Sequence, residues 1–241
     1  MAKTLSKYSL LALPVVDKDS RMVGIVTFDD AMDVIEDETT EDMELMGGIL
    51  PTEKTYLRSS VWQLFKSRIP WLLLLMVSAT FTGMIITAFE GALAAQAVLT
   101  AFIPMLMGTG GNSGSQASVT VIRGLSLGEI GYRNTLAVAI KELAVSLLCG
   151  VSLAAVNFGK MLLVDRLLLG NAAVTPMVAL AVSLALAVTV VLAKLIGGLL
   201  PLLVGRVGLD PAVMAGPFIT TLVDALSLLV YFALASALLG L

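Results

Sequence analysis

From residue 69 onward the chain is written in long apolar runs. Residues 69–89 carry no charge and predict a first membrane span, because a bilayer core of ~30 Å needs about 20 apolar helical residues. Pro70 falls in the first turn of that span, where proline fits. After Glu90 an uncharged run extends to Ile122, and its first part, 91–107, predicts a second span. Residues 134–159 give a third, entered through Lys141 and Glu142. About 174–204 gives a fourth, and 217–239 a fifth whose only charge is Asp224. Lys/Arg placement orients the spans. With the N-terminus in the cytoplasm, Lys54, Arg58, Lys66, Arg68, Arg123, Arg133, Lys141 and Arg206 fall inside. Only Lys160 and Arg166 fall outside, and Lys194 lies within the fourth span.

The first 68 residues follow a different pattern. Leu13–Val16 predicts a short strand, Asp17–Arg21 a polar turn and Met22–Thr27 a second strand. Asp29 or Asp30 is then expected to cap a short helix through Ile35. Two strands and a helix bury too little to stand alone, so this head is a fragment or is completed by another chain. Asp29, Asp30 and Asp33 spell D-D-x-x-D, a Mg²⁺-diphosphate signature of prenyl-transferring enzymes. That chemistry needs a second, facing aspartate-rich motif, and the spans hold none, which leaves a solvated acidic helix face. Glu36, Asp37, Glu38, Glu41, Asp42 and Glu44 follow without a balancing base until Lys54. Such crowding suits a solvated linker or a patch that a divalent ion screens, holding two elements together. In 55–68, Leu57, Val61, Leu64 and Phe65 fall on one helical face, predicting an amphipathic helix along the cytosolic interface.

Composition settles the class. The chain has 241 residues, 58% of them hydrophobic and 14% charged, with a mean hydropathy of +0.96. Of its 33 charged side chains, 20 lie in residues 1–68. A water-soluble domain cannot hide so much apolar surface. A net charge of −3 with scattered basic residues gives no nucleic-acid footprint. One cysteine, Cys149, and no histidine exclude a disulfide framework, zinc spacings and His-dependent catalysis. The N-terminus lacks the apolar core and cleavage site of a signal peptide.

Two features within the membrane carry chemistry. The first is PMLMGTGGNSGSQAS, Pro104 to Ser118. Pro104 removes a backbone donor, and Gly108, Gly110, Gly111 and Gly114 disfavour a helix. Their company of Asn112, Ser113, Ser115, Gln116, Ser118 and Thr120 favours a non-helical, pore-lining break over a cytosolic turn at the end of the second span. The phosphate-loop patterns fail here: no lysine follows, and Ser113 stands where a third glycine belongs. The second feature is Asp224. A carboxylate within a span costs at least ~2.5–3.5 kcal/mol, so a role or a partner is the default. Thr220, Thr221, Ser227 and Tyr231 are placed on the same helical side, and Lys194 or Lys141 is the candidate partner if Asp224 is merely paired. Seven residues past Pro217 puts Asp224 about 10 Å in from the cytosolic end, at the depth of the glycine segment. The result is an all-oxygen environment suited to hard cations. With so few carboxylates a hydrated Mg²⁺ fits best, although Ca²⁺, Mn²⁺ and Co²⁺ also accept oxygen.

The Pro104–Ser118 run, the D-P-x-x-x-x-G-P-F-I-T-T-L-V-D segment from Asp210 to Asp224, and the L-P-V-V-D…G-I-V-T-x-D-D-A-M-D-V-I head together resemble the MgtE magnesium channels and transporters. The head motif alone resembles a CBS domain. The resemblance implies an all-α integral membrane protein with five spans per subunit, a homodimer whose ion path is lined by spans two and five, and a partial α/β CBS remnant at the N-terminus. It divides the chain into 1–45 (partial CBS domain and acidic linker), 46–68 (linker and amphipathic plug helix) and 69–241 (pore domain). By motif, Asp224 matches the pore aspartate, contributed twice, and Asn112 the asparagine of the glycine segment. Thr220 falls where a pore-facing backbone position is expected, and Thr221 and Gly108 complete the expected metal-contacting set. Glu36, Asp37, Glu38, Glu41 and Asp42 overlap a regulatory Mg²⁺-sensing linker.

Gly216 departs from the family, which often has Asn before the proline. The chain also opens inside the last CBS repeat and reads as a fragmentary or engineered form that keeps the pore, so nucleotide binding and full Mg²⁺-dependent closure are not expected of it. The expected function is membrane-potential-driven Mg²⁺ influx at the cell membrane, by a multi-pass protein with a cytoplasmic N-terminus and lipid as its surroundings. A proton- or sodium-coupled carrier is the alternative. A membrane enzyme or a non-conducting sensor is a more distant one.

Overall fold

A computed structural model describes residues 2–52 and 55–241; Lys54, counted above in the charge asymmetry, lies outside them. Asp17 organises the head. Its Oδ1 accepts from the backbone N–H groups of Asp19 and Arg21, both at 2.9 Å, folding the chain back on itself. Strands β1 (Ala12–Val16) and β2 (Met22–Thr27) pair antiparallel across that turn, with a bulge at Val15/Val16. A short helix α1 (Ala2–Tyr8) precedes them. Val16, Met22, Val23 and Ile25 remain exposed, as expected of a sheet too small to bury either face.

The helix that follows starts two or three residues earlier than expected. Thr27, not Asp29 or Asp30, is the N-cap of α2 (Phe28–Met46). Asp30 reaches back: its Oδ2 accepts from the Thr27 N–H at 3.0 Å and the Thr27 hydroxyl at 2.5 Å. Those two bonds hold the exposed carboxyl below its ordinary range. This reciprocal capping box gives Asp30, the second aspartate of the D-D-x-x-D spelling, a structural task. Nor does the helix stop at Ile35; it carries the whole acidic run through Glu44.

The predicted amphipathic helix over 55–68 is not a separate element. Tyr56–Arg58 forms a single 3₁₀ turn. Ser60 then caps a new helix through a second box with Gln63, because a hydroxyl followed three residues later by an amide favours a start there. That helix, α3 (Val61–Ala88), runs unbroken into the first span with Pro70 inside it rather than in its first turn. A short helix α4 (Glu90–Ala95) and a 3₁₀ stretch (Ala97–Phe102) follow, so the predicted second span at 91–107 is broken at Gln96. The long helix in this region is instead α5 (Ile103–Ser126). Then come α6 (Thr135–Lys160), continued by a π-helical turn to Leu168, α7 (Pro176–Arg206) and α8 (Pro217–Leu239).

Among the described residues, four segments are long and apolar enough to cross a membrane: Val61–Ala88, Tyr132–Leu168, Pro176–Arg206 and Pro211–Leu239. The most hydrophobic stretch of α7 is the best covered of these and that of α3 the least. The order follows from position, since α7 packs against α5, α6 and α8 while α3 touches mainly α8. Leu99, Phe102, Leu106, Val182, Leu228 and Phe232 join into the main core. Tyr231 is fully buried beside them and donates its hydroxyl to the Leu99 carbonyl at 2.8 Å.

Candidate functional site

The glycine segment is helical throughout, contrary to the predicted break. Pro104 sits in the first turn of α5, where its missing N–H has no intrahelical partner to lose. The glycines serve contact rather than disorder. A Cβ at Gly110 would stand 2.7 Å from Ser227 Oγ and 2.8 Å from Thr189 Cγ2. One at Gly114 would stand 2.8 Å from Ile219 Cγ2. At Gly197 of α7 it would stand 2.1 Å from the Gly114 carbonyl oxygen. Membrane helices associate through such small-residue approaches, which outweigh the helix propensities measured in water.

This close packing brings Asp224 to α5. A Cβ at Gly111 would lie 3.1 Å from Thr220 Cγ2 and 3.5 Å from Asp224 Oδ1. Asp224 is half-buried and, among the described residues, forms neither an ion pair nor a hydrogen bond through its carboxylate. Pairing with Lys141 or Lys194 is therefore not its role; the Lys194 ammonium is engaged by Gln116 Oε1 at 3.4 Å. The hydroxyls of Thr220 and Thr221 both donate to the Pro217 carbonyl at 2.9 Å, leaving oxygen lone pairs one turn before Asp224. Asn112 follows Gly111 directly. It is exposed, as are Gly108, Gln116 and Thr120 at four-residue spacing along α5, and nothing lies within 4 Å of a Cβ built on Gly108. Asp224 and Thr220 thus meet at Gly111, beside an uncovered stripe that carries Gly108 and Asn112.

The rest of the expected polar side of α8 is structural. Ser227 is buried and donates to the Val223 carbonyl at 2.6 Å, and Tyr231 is spent on Leu99. Glu36, Asp37, Glu38 and Glu41 are exposed along α2 and Asp42 is half-buried. Among the described residues no three acidic, cysteine or histidine side chains converge as a metal cage requires. Asp42 instead accepts from Ser126 Oγ at 2.9 Å, tying α2 to the end of α5. Leu45 and Met46 pack with Ile122, Ala212 and Ala215. Gly216 completes that seat. Its φ of +48° suits glycine, and a Cβ there would stand 2.2 Å from the Met46 carbonyl oxygen. An asparagine could not occupy this position without displacing α2.

The sequence profile of the MgtE family, described as a divalent cation transporter, matches residues 103–234, from the first turn of α5 to well past Asp224 on α8. The chain belongs to the MgtE family. A CBS-domain profile matches residues 1–37. Magnesium transporter MgtE of Thermus thermophilus is 35% identical over 239 residues, covering 99% of this chain and 51% of that protein. The Bacillus subtilis protein of the same name is 35% identical over 241 residues (98% and 50%), and that of Enterococcus faecalis 33% over 236 (98% and 50%). The chain therefore spans about half the length of these relatives. It is a multi-pass membrane protein of a transporter family, and its MgtE match contains every residue of the Gly111–Asp224 contact.

Reasoning from sequence missed Gly197 and the Lys194–Gln116 contact. The Gly110-x-x-x-Gly114 spacing and the Gly197–Gly198 pair were the available signals.

Proposed function

We propose that the chain conducts Mg²⁺ passively across the cell membrane as a homodimer, with its N-terminus in the cytoplasm. In this reading α5, at 24 residues or roughly 36 Å, supplies a fifth crossing. Its uncovered stripe and Asp224 face their twins across the dimer axis. The observation that carries the proposal is a half-buried carboxylate on a membrane helix, without a protein partner among the described residues, set against glycine. Such a group must be wet or bound to a cation.

Two Asp224 carboxylates would draw the ion in. Asn112, Thr220, Thr221 and the backbone at Gly108 would accept hydrogen bonds from its retained waters, which Mg²⁺ sheds reluctantly. An inside-negative potential contributes ~2.3 kcal/mol per charge per 100 mV, twice that for a divalent ion, so influx needs no coupled reaction. The acidic face of α2, Glu36, Asp37, Glu38, Glu41 and Asp42, is the regulatory surface in this reading. Cations that screen it would hold α2 against the cytosolic ends of α5 and α8, where Asp42 and Met46 already touch them.

The test is Mg²⁺ uptake into vesicles holding purified protein and a Mg²⁺-sensitive dye, with an imposed inside-negative potential. Asp224→Ala should abolish uptake. Undiminished influx in that variant would end the assignment.

A further inference from the structure

The mechanism above makes no use of Lys194. It lies in the middle of α7, is 6% exposed, and is the only charged residue of that helix before Arg206. An ammonium at such depth is a functional feature by default. Among the described residues its one side-chain hydrogen bond goes to Gln116 Oε1, and no carboxylate lies within 4 Å of it. Glu142 of α6 is within electrostatic reach and packs over Gly198, one turn farther along α7.

The bond fixes the Gln116 amide. A protonated lysine has no acceptor, so the oxygen of Gln116 must face it and the NH₂ must face away. Gln116 is exposed on the same α5 stripe as Gly108 and Asn112, and among the described residues its NH₂ has no hydrogen-bond partner. The stripe therefore changes character along its length. At Asn112 and Asp224 it offers oxygens. One turn later, about 6 Å toward the cytosolic end, it offers N–H donors backed by a positive charge.

We propose that Lys194 is a rate-limiting residue of the ion path. Together with Gln116 it forms an electropositive collar on the cytosolic side of the Asp224 site and limits how fast a cation leaves that site inward. This rests on the proposed Mg²⁺ path. A hydrated cation presents outward-pointing hydrogens, which an amide NH₂ cannot accept, and its charge is repelled by the ammonium behind. Because α7 packs directly on α5 at Gly114/Gly197, the collar is held rigidly.

The experiment measures Mg²⁺ uptake per folded protein in vesicles at fixed potential for wild type, Lys194→Met, Lys194→Arg and the double variant Lys194→Met/Glu142→Gln, each with and without Asp224→Ala. Lys194→Met should raise uptake at least about threefold, Lys194→Arg should match wild type, and Asp224→Ala should cancel the gain. The double variant, which leaves no unmatched carboxylate, should show the same gain and stands in if the single variant fails to fold. Uptake at or below wild type in the folded neutral variants overturns the proposal. So does an equal gain in Lys194→Arg, or a match between wild type and Lys194→Met with Lys194→Arg lower, which would mean an uncharged lysine. Uptake that survives Asp224→Ala in the wild-type background refutes the ion path itself, a separate and recognisable failure.

Discussion

Gly197→Val puts a side chain where α5 and α7 touch backbone to backbone. A Cβ on residue 197 would lie 2.1 Å from the Gly114 carbonyl oxygen, 2.8 Å from its carbonyl carbon and 3.0 Å from its Cα. No rotamer change relieves this, because all three atoms belong to a helical backbone. Restoring even a 3.0 Å approach requires the helices to part by about 0.9 Å. Overpacking of this kind costs ~1–3 kcal/mol, and two further methyl groups place valine near the top of that range. Its better helix propensity returns only ~0.4 kcal/mol. A net loss of ~2–3 kcal/mol lowers the melting temperature by roughly 5–10 °C at this chain length. Gly159→Val is the matched control, since nothing lies within 4 Å of a Cβ there. The assay heats detergent-solubilised protein and follows the surviving monodisperse fraction by size exclusion. Mg²⁺ uptake per folded protein should also fall in Gly197→Val, because moving α5 disturbs the 3.5 Å approach of the Gly111 position to Asp224. Equal melting and equal uptake in the two variants would refute the claim that glycine contact builds the site.

Two further outcomes follow from the hydrogen bonds of the head and the core. The Asp30 carboxyl is held below its ordinary 3.8 by bonds from Thr27, so its stabilising effect is complete above the unfolded value and is lost as pH falls through the folded one. Protection of amides in the first turn of α2, taken relative to the intrinsic exchange rate at each pH, should therefore be flat through neutral pH and fall below about pH 4; in Asp30→Ala it should be low throughout, and a wild-type protection profile in that variant would disprove the box. Tyr231→Phe leaves the Leu99 carbonyl without its 2.8 Å donor and should cost ~1–3 kcal/mol of heat stability without changing Mg²⁺ selectivity; a changed selectivity would place Tyr231 in the ion path instead of the core.

Elements bounded by sharp chemical signals were legible from sequence. The predicted spans 134–159, 174–204 and 217–239 lie close to α6, α7 and α8, because long apolar runs end at charges, glycine or proline. Both strands were legible through their β-branched residues and the Asp17 turn. Failures came where a local rule met a nonlocal contact. Gly108 to Gly114 read as a break because propensity scales describe an isolated helix in water, whereas here the missing side chains let α5 lie against α7 and α8. The amphipathic spacing of Leu57, Val61, Leu64 and Phe65 ignored the Ser60–Gln63 box that restarts the helix. Asp224 stood out because a lone carboxylate in a span is costly, but its contact with Gly111 is a property of two helices separated by more than a hundred residues.

The same geometry explains why one helix can serve two ends of the molecule. α8 begins at Gly216, pressed against the last turn of the acidic helix α2, and reaches Asp224 two turns later. Its first turn also holds Thr220 and Thr221 on the Pro217 carbonyl. A displacement of α2 therefore has no side chain to absorb it before it reaches Pro217: residue 216 has none, and the opposing atom is the Met46 backbone oxygen. Close-packed contacts of this kind transmit motion because they cannot be compressed. The glycine that departs from the family pattern at the start of α8 thus does more than lose an amide. It sets the Met46 carbonyl directly against the start of α8 with no side chain between them, so that a shift of α2 would reach the helix that carries Asp224.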